Sequence, residues 1–148
     1  MGDWDSHRQG HASARDWGDA LIIVAAAVVI RDGRVLLTRR ADGQHLAGMW
    51  EFPGGKLEEG EPPEDAVVRE CREECGIEVE VSGILDVTHH AYPEKEVLLL
   101  FYRCELCAGE VQHLQVADHA WVAPAELDEY PLPPADERVI ERIKSLDL

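Results

Sequence analysis

The sequence predicts one domain built from a mixed β-sheet with helices on its faces, an α+β or α/β sandwich. An apolar run rich in β-branched residues at 20–30 predicts a buried strand. Residues 77–87 begin with alternating apolar and polar side chains, the pattern of a half-buried strand. Two segments, 62–75 and 133–146, start with prolines and have helical spacing of apolar residues, so they predict helices that cover the sheet.

Shorter elements complete the predicted sheet. Asp32-Gly33 is typical of a tight hairpin turn after the first strand. Gly76 is placed to end the first helix in the left-handed conformation. The remaining strands are predicted at 35–38, 50–52, 97–106 and 120–122.

Length and charge narrow the function classes. The chain has 148 residues, enough for a domain with a buried core. We expect residues 1–19 to form a flexible N-terminal tail and residues 20–148 to form the domain. The formal net charge of −16 repels phosphate backbones, which argues against duplex nucleic acid as a partner. A small anionic substrate would need cations to accompany it.

The hydropathy pattern argues against a membrane protein. The longest apolar run, 21–30, has ten residues, about half of what a membrane span needs. The run also lacks the flanking residues of a secretory signal. We therefore expect a cytoplasmic protein with no membrane partner. We also expect a monomer or a weak homodimer.

The four cysteines allow two interpretations. Cys71 and Cys75 form a C-x3-C pair and Cys104 and Cys107 a C-x2-C pair, a pattern that could suit zinc. However, the first pair falls within the predicted helix and the second at the end of an apolar strand, not on zinc-knuckle turns. Reduced and mostly buried thiols are the simpler interpretation.

The acidic helix at 62–75 concentrates negative charge on one face. With about 100° of rotation per residue, Glu74 lies about 40° to one side of Glu70 and Glu73 about 60° to the other. Such a cluster is costly unless something neutralises it, and hard divalent cations do so through oxygen ligands. Charge pattern alone favours another interpretation, a solvated acidic helix with ion pairs to Arg69 and Arg72.

The stretch from Gly55 to Ile77 resembles the Nudix box. That motif reads Gly, five residues, Glu, seven residues, Arg-Glu, an apolar residue, any residue, Glu-Glu, any residue, Gly and an apolar residue. The matching positions are Gly55, Glu61, Arg69, Glu70, Cys71, Glu73, Glu74, Gly76 and Ile77. The segments RRADGQHLAGMWEFPGGK and YPLPPAD are similar to the MutT-type branch, which acts on nucleoside triphosphates.

The resemblance implies a Nudix fold, an α/β/α sandwich with a mixed sheet between helices, and a loop–helix–loop that binds Mg²⁺ or Mn²⁺. The implied metal ligands are Glu70, Glu73, Glu74 and the carbonyl of Gly54. Arg69 would orient the glutamates by ion pairing, while Gly55 and Glu61 would support the loop. The implied catalytic residues are Glu70, Glu73 and Arg69, with Glu70 as the candidate general base.

Several further residues are candidates for holding the nucleotide. Arg40 and Lys56 could contact phosphate oxygens. Surface solubility explains Lys56 equally well, whereas the resemblance aligns Arg40 with a phosphate-contacting arginine of the family. Phe52 or Trp50 could stack on the base, but a place in the core is the favoured interpretation. Asp136 matches the position where MutT-type members read the base edge, and could otherwise be a plain helix cap. Gln115 stands where this branch often supplies a further glutamate, with Asp118 and His119 as candidate substitutes.

The resemblance implies hydrolysis of a nucleoside triphosphate to a monophosphate and pyrophosphate. Two substrate classes stay open: an oxidised guanine nucleotide such as 8-oxo-dGTP, and a cytidine nucleotide such as CTP or a methylated dCTP. A domain that binds nucleotide without hydrolysing it is a third hypothesis. The full set of three carboxylates argues against it, because a binding module does not need all of them.

Overall fold

The computed structural model describes residues 21–43 and 46–148, and within them seven strands form one mixed sheet. The predicted tail at 1–19 lies outside the described residues. The strands are β1 (Leu21–Arg31), β2 (Arg34–Arg39), β3 (Trp50–Glu51), β4 (Gly54–Lys56), β5 (Glu78–Ala91), β6 (Glu96–Ala108) and β7 (Asp118–Val122). Their order is β3-β2-β1-β6-β5, with β4 beside β1 and β7 beside β2.

The long central strand β1 organises the sheet. It pairs in parallel with β6 along almost its whole length, while the other pairings in the sheet are antiparallel. The hairpin between β1 and β2 turns at Asp32 and Gly33, whose φ angles are 52° and 76°. Two successive positive φ values suit a tight hairpin turn, which confirms the prediction from the Asp-Gly pair.

The first helix begins and ends where the sequence predicts. Helix α1 (Pro63–Cys75) has Pro62 at its N-cap, and Gly76 follows it with a φ of 67°. The Gly76 amide donates to the carbonyl of Arg72 at 3.0 Å, a typical helix-ending bond. The second predicted helix begins as a 3-10 turn, Pro134–Asp136, and continues as α2 (Glu137–Lys144).

The two helices cover opposite faces of the sheet. Residues of β1 alternate between the faces, as the period of a strand requires. The α1-side core contains Ala25, Ala27, Val29, Leu36, Ala66, Val67, Cys71 and Cys75. The α2-side core contains Ala26, Val28, Ile30, Val35, Leu37, Val139, Ile140 and Ile143. The result is the α/β/α sandwich that the sequence predicts.

The cysteines follow the buried-thiol interpretation. Cys71, Cys75 and Cys104 are buried, whereas Cys107 is exposed, and none of the four forms a disulfide. Burial raises the pKa of Cys75 and Cys104 to about 12, so both thiols stay protonated at neutral pH.

Two features of the sheet differ from the sequence prediction. Strand β4 is not among the predicted strands, because glycine has low strand propensity and its close approach to β1 is not visible in the local sequence. Strand β5 runs to Ala91 and not to Val87, and its pairing with β6 contains register shifts. None of the helices in the described ranges is long and apolar enough to span a membrane.

Candidate active site

Two glycines allow β4 to lie between β1 and α1. A Cβ atom on Gly54 would lie 2.3 Å from the carbonyl oxygen of Ala25, so only glycine lets β4 approach β1 this closely. A Cβ atom on Gly55 would lie 2.3 Å from Oε2 of Glu70. The carboxylate of Glu70 therefore occupies the space that a side chain at position 55 would fill. This contact brings the acidic face of α1 against the loop end of β4.

Arg69 joins the acidic residues of the loop to those of the helix. Its Nε and Nη2 donate to the Glu61 carboxylate at 2.8 and 3.0 Å. Its Nη1 donates to Oε2 of Glu70 at 3.2 Å and to Oε1 of Glu73 at 3.1 Å. The hydrogen bonds from Arg69 lower the pKa of Glu61, and the Glu58 amide adds to the effect. Arg69 thus contacts acidic residues of both the loop and the helix, and its orienting role stays a prediction.

Glu74 is a carboxyl group whose ionised form the protein alone does not stabilise. Burial, together with the neighbouring Glu70 and Glu51 carboxylates, raises its pKa to about 9. Among the described residues, the buried Oε1 of Glu74 has no hydrogen-bond partner. A buried oxygen without a partner is costly in a folded protein. Carboxylates arranged this way fit a hard divalent cation. The cation would be the missing partner of the buried oxygen and would supply the positive charge.

Glu51 is a site residue that the sequence analysis did not single out. It lies on β3, and its Oε1 is 2.9 Å from Nη2 of Arg40. Burial raises its pKa, Arg40 opposes this, and Glu70 adds to it. Glu51 also raises the pKa of Asp136. Glu51 therefore interacts electrostatically with both Glu70 and Asp136, and it belongs to the WEFPGG segment that carried part of the family signal.

Asp136 is buried rather than exposed at a helix start. It is 6% exposed and precedes α2, yet its side chain makes no capping hydrogen bond. Burial raises its pKa to about 7, and Glu51 contributes while Arg40 opposes. Asp136 stands at the N-cap position without a capping side-chain bond, and its role in reading the base stays a prediction. A carboxyl group that titrates near neutrality can donate a hydrogen bond as well as accept one.

The model of the NUDIX domain family matches residues 25–142, most of the chain. The chain belongs to the Nudix family. The matched residues span both cores and include the arginine-centred cluster on α1. Members of this family generally use divalent metal ions, which agrees with the carboxylate arrangement around Glu74.

Relatives of this Nudix protein carry two different activities in their names. An 8-oxo-dGTP diphosphatase of Escherichia coli is 35% identical over 126 residues, 85% of this chain and 98% of the relative. A CTP pyrophosphohydrolase of Escherichia coli is 36% identical over 126 residues, 85% of this chain and 93% of the relative. The crystal structure of a MutT Nudix hydrolase from Burkholderia pseudomallei is 31% identical, with a TM-score of 0.75, and covers 84% of this chain and 98% of that one.

The remaining candidate residues differ in their exposure and in what they contact. The side chain of Lys56 is exposed, and its carbonyl accepts from Nη2 of Arg69 at 3.3 Å. Phe52 is 3% exposed and packs edge-on against Phe101 in the α2-side core. A stacking role for Phe52 stays a prediction. Gln115 is exposed, and its amide donates to the Glu74 carbonyl at 3.1 Å, so it lies at the end of α1.

Proposed function

We propose that this protein is a divalent-metal-dependent hydrolase that converts a nucleoside triphosphate to a nucleoside monophosphate and pyrophosphate. The observation that carries the proposal is the α1 cluster, where Arg69 orients Glu70 and Glu73 beside the buried, uncompensated Glu74. A solvated acidic helix would not bury a carboxylate oxygen without a partner.

The metal would be held by Glu70, Glu73, Glu74 and the carbonyl of Gly54. When bound, Mg²⁺ or Mn²⁺ neutralises phosphate charge and makes a water molecule more acidic. Glu70 would take the proton of the attacking water, and Arg69 would keep the Glu70 carboxylate in position. The water oxygen forms a bond to phosphorus, the bond between the α- and β-phosphates breaks, and pyrophosphate leaves. Arg40 and Lys56 would hold phosphate oxygens.

Asp136 supports an oxidised guanine base as the preferred substrate. The edge of 8-oxoguanine presents both donor and carbonyl groups, so a carboxyl group that reads it must donate as well as accept. A group with a pKa of about 7 can do both near neutral pH. The name of the 35% identical relative agrees with this choice. CTP is the second candidate, because the 36% identical relative is named for it and cytosine offers an amino group to an ionised aspartate.

A nucleotide panel tests the proposal directly. The full chain is assayed with 8-oxo-dGTP, dGTP, CTP, dCTP and a methylated dCTP, with and without Mg²⁺ or Mn²⁺, and pyrophosphate is measured separately from phosphate. We expect pyrophosphate release that requires metal and is fastest with 8-oxo-dGTP. Binding without turnover would overturn the enzymatic proposal, and a preference for CTP would overturn the choice of substrate.

Two further expectations concern the partners of the protein and where it works. The net charge of −16 favours a small nucleotide bound together with cations over duplex nucleic acid. We also propose that the protein works in the cytoplasm as a monomer or weak homodimer.

A further inference from the structure

Two histidines and an aspartate form a cluster at the start of β7. His113 belongs to the loop between β6 and β7, while Asp118 and His119 are the first two residues of β7. One ligand atom from each side chain lies within 4.8 Å of the other two. None of these three residues belongs to the Nudix box.

The distances in this cluster are close to those around a metal ion. Nε2 of His113 lies 2.8 Å from Nδ1 of His119 and 3.9 Å from Oδ1 of Asp118. Ligands about 2.1 Å from a tetrahedral ion lie roughly 3.4 Å from one another. The two observed distances lie on either side of this value. Shifts of about half an ångström would therefore admit an ion.

The chemistry of the three groups selects a class of metal. The two imidazole nitrogens share a hydrogen bond, so one of them already presents a lone pair. Imidazole nitrogen suits zinc, cobalt, nickel or copper, whereas magnesium and manganese prefer oxygen ligands. The side chains of His113 and Asp118 are 42% and 51% exposed, so an ion can enter from solvent and keep a water ligand.

The loop that contains His113 is fastened to the C-terminal end of α1. The backbone amide of Gln112 donates to the Cys75 carbonyl at 2.9 Å, and the backbone amide of Gln115 donates to the Glu74 carbonyl at 3.1 Å. These bonds satisfy carbonyls that a helix end leaves without partners. The loop therefore supports the turn of α1 that carries the acidic residues.

We propose that His113, Asp118 and His119 form a second metal site, for a transition-metal ion such as Zn²⁺, that locks the β6–β7 loop against the end of α1. The ion binds between the two rings, the proton of their shared hydrogen bond moves to the other nitrogen of its own ring, and the loop is thereby joined to β7. The site is separate from the Nudix box, so the proposal does not depend on which nucleotide is hydrolysed.

The test is metal binding by the full chain in excess Mg²⁺, which occupies the carboxylate site. Zn²⁺ is titrated calorimetrically, and Co²⁺ is followed by visible absorption, which reports nitrogen ligands. We expect one equivalent to bind, with affinity at least about tenfold lower in His113→Ala and in His119→Ala. His90→Ala is the matched control on β5, and His7→Ala with His11→Ala controls for the N-terminal segment. These controls should bind as the wild type does.

Hydrogen exchange distinguishes a lock from simple binding. Zn²⁺ should slow exchange of the Gln112 and Gln115 amides in the wild type and leave it unchanged in His113→Ala. The metal site is overturned if the wild type binds neither ion, or if the variant with both His113→Ala and His119→Ala binds as tightly as the wild type. Binding without slower exchange would overturn the locking role. Circular dichroism melts confirm that the surface variants fold.

Discussion

Arg69 and Glu61 form a paired hydrogen bond across eight residues of sequence, with distances of 2.8 and 3.0 Å. The pair fastens the loop before α1 to the helix, and the same guanidinium reaches Glu70 and Glu73. Arg69 is thus a positioning residue, because it acts through the carboxylates.

Replacing Arg69 by lysine should reduce catalysis while leaving the fold intact. Lysine cannot make the paired contact and reach the α1 glutamates together. We expect kcat/KM to fall by about tenfold or more and the Mg²⁺ concentration at half-maximal rate to rise. Arg72→Lys is a matched control, because Arg72 makes a similar paired contact with Glu78 on the exposed side of α1. Equal effects of the two substitutions would contradict the positioning role.

Glu74→Gln should separate activity from stability. The variant loses a metal ligand, so turnover should fall by roughly 100-fold or more. It also removes a carboxyl that folding must keep protonated beside Glu70, so the melting temperature in EDTA at neutral pH should stay level or rise. Glu80→Gln, at an exposed position on β5, should change neither quantity. A Glu74→Gln protein with normal metal-dependent turnover would remove Glu74 from the metal site.

Alanine at the two glycines of β4 should have different effects. In Gly54→Ala the new Cβ meets the backbone of Ala25 and Ala26, which cannot move without separating β4 from β1. We expect a loss of about 1–3 kcal/mol in the free energy of unfolding. In Gly55→Ala the Cβ meets the end of the flexible Glu70 side chain, so activity should fall with a smaller change in stability. Denaturant unfolding and kcat/KM measure the two effects, and the reverse order would contradict the geometry.

The buried carboxyl of Asp136 should make stability depend on pH. Its pKa is about 7 when folded against an ordinary value of 3.8, so the folded state holds the proton more tightly. The contribution of Asp136 to the free energy of unfolding is therefore greatest below pH 4. It falls by up to about 4 kcal/mol as the pH rises to about 7. The melting temperature of Asp136→Asn should rise relative to that of the wild type as the pH increases from 4 to 8. Asp147→Asn, an exposed control, should track the wild type.

The same residue should influence base preference. If Asp136 reads 8-oxoguanine, asparagine supplies donor and acceptor together and should be tolerated. Alanine should lower kcat/KM for 8-oxo-dGTP relative to CTP by about tenfold or more. If cytidine is the substrate, asparagine should instead reduce the preference for cytosine, since the ionised acceptor is lost. Should Asp136→Ala leave the order of 8-oxo-dGTP, CTP and dCTP unchanged, Asp136 does not read the base.

Local chemistry made much of the fold predictable. The Asp32-Gly33 turn, the proline start of α1 and its end at Gly76 each depend on the conformational limits of one or two residues. Strand β4 was missed because its pairing depends on how closely two backbones approach, which no local pattern reports. The extension of β5 to Ala91 depends on its partner β6 in the same way.

The candidate site was predictable where one helix carries it. Glu70, Glu73 and Glu74 share a face because of helical geometry, so spacing alone brings them together. Glu51 was missed because its position follows from β3 and its partner Arg40, which the chain brings together only after folding. The burial of Asp136 was likewise invisible, since an aspartate before a helix usually predicts an exposed cap.

The alternation of β1 between the two cores ties the halves of the molecule together. Because Ala25 and Ala27 face α1 while Ala26 and Val28 face α2, insertion of one residue within β1 would exchange the two sets. Small side chains would then meet spaces shaped for other neighbours on both faces at once. The residues of one helical layer therefore cannot change independently of those of the other. Strand β1 limits which substitutions both layers can accept.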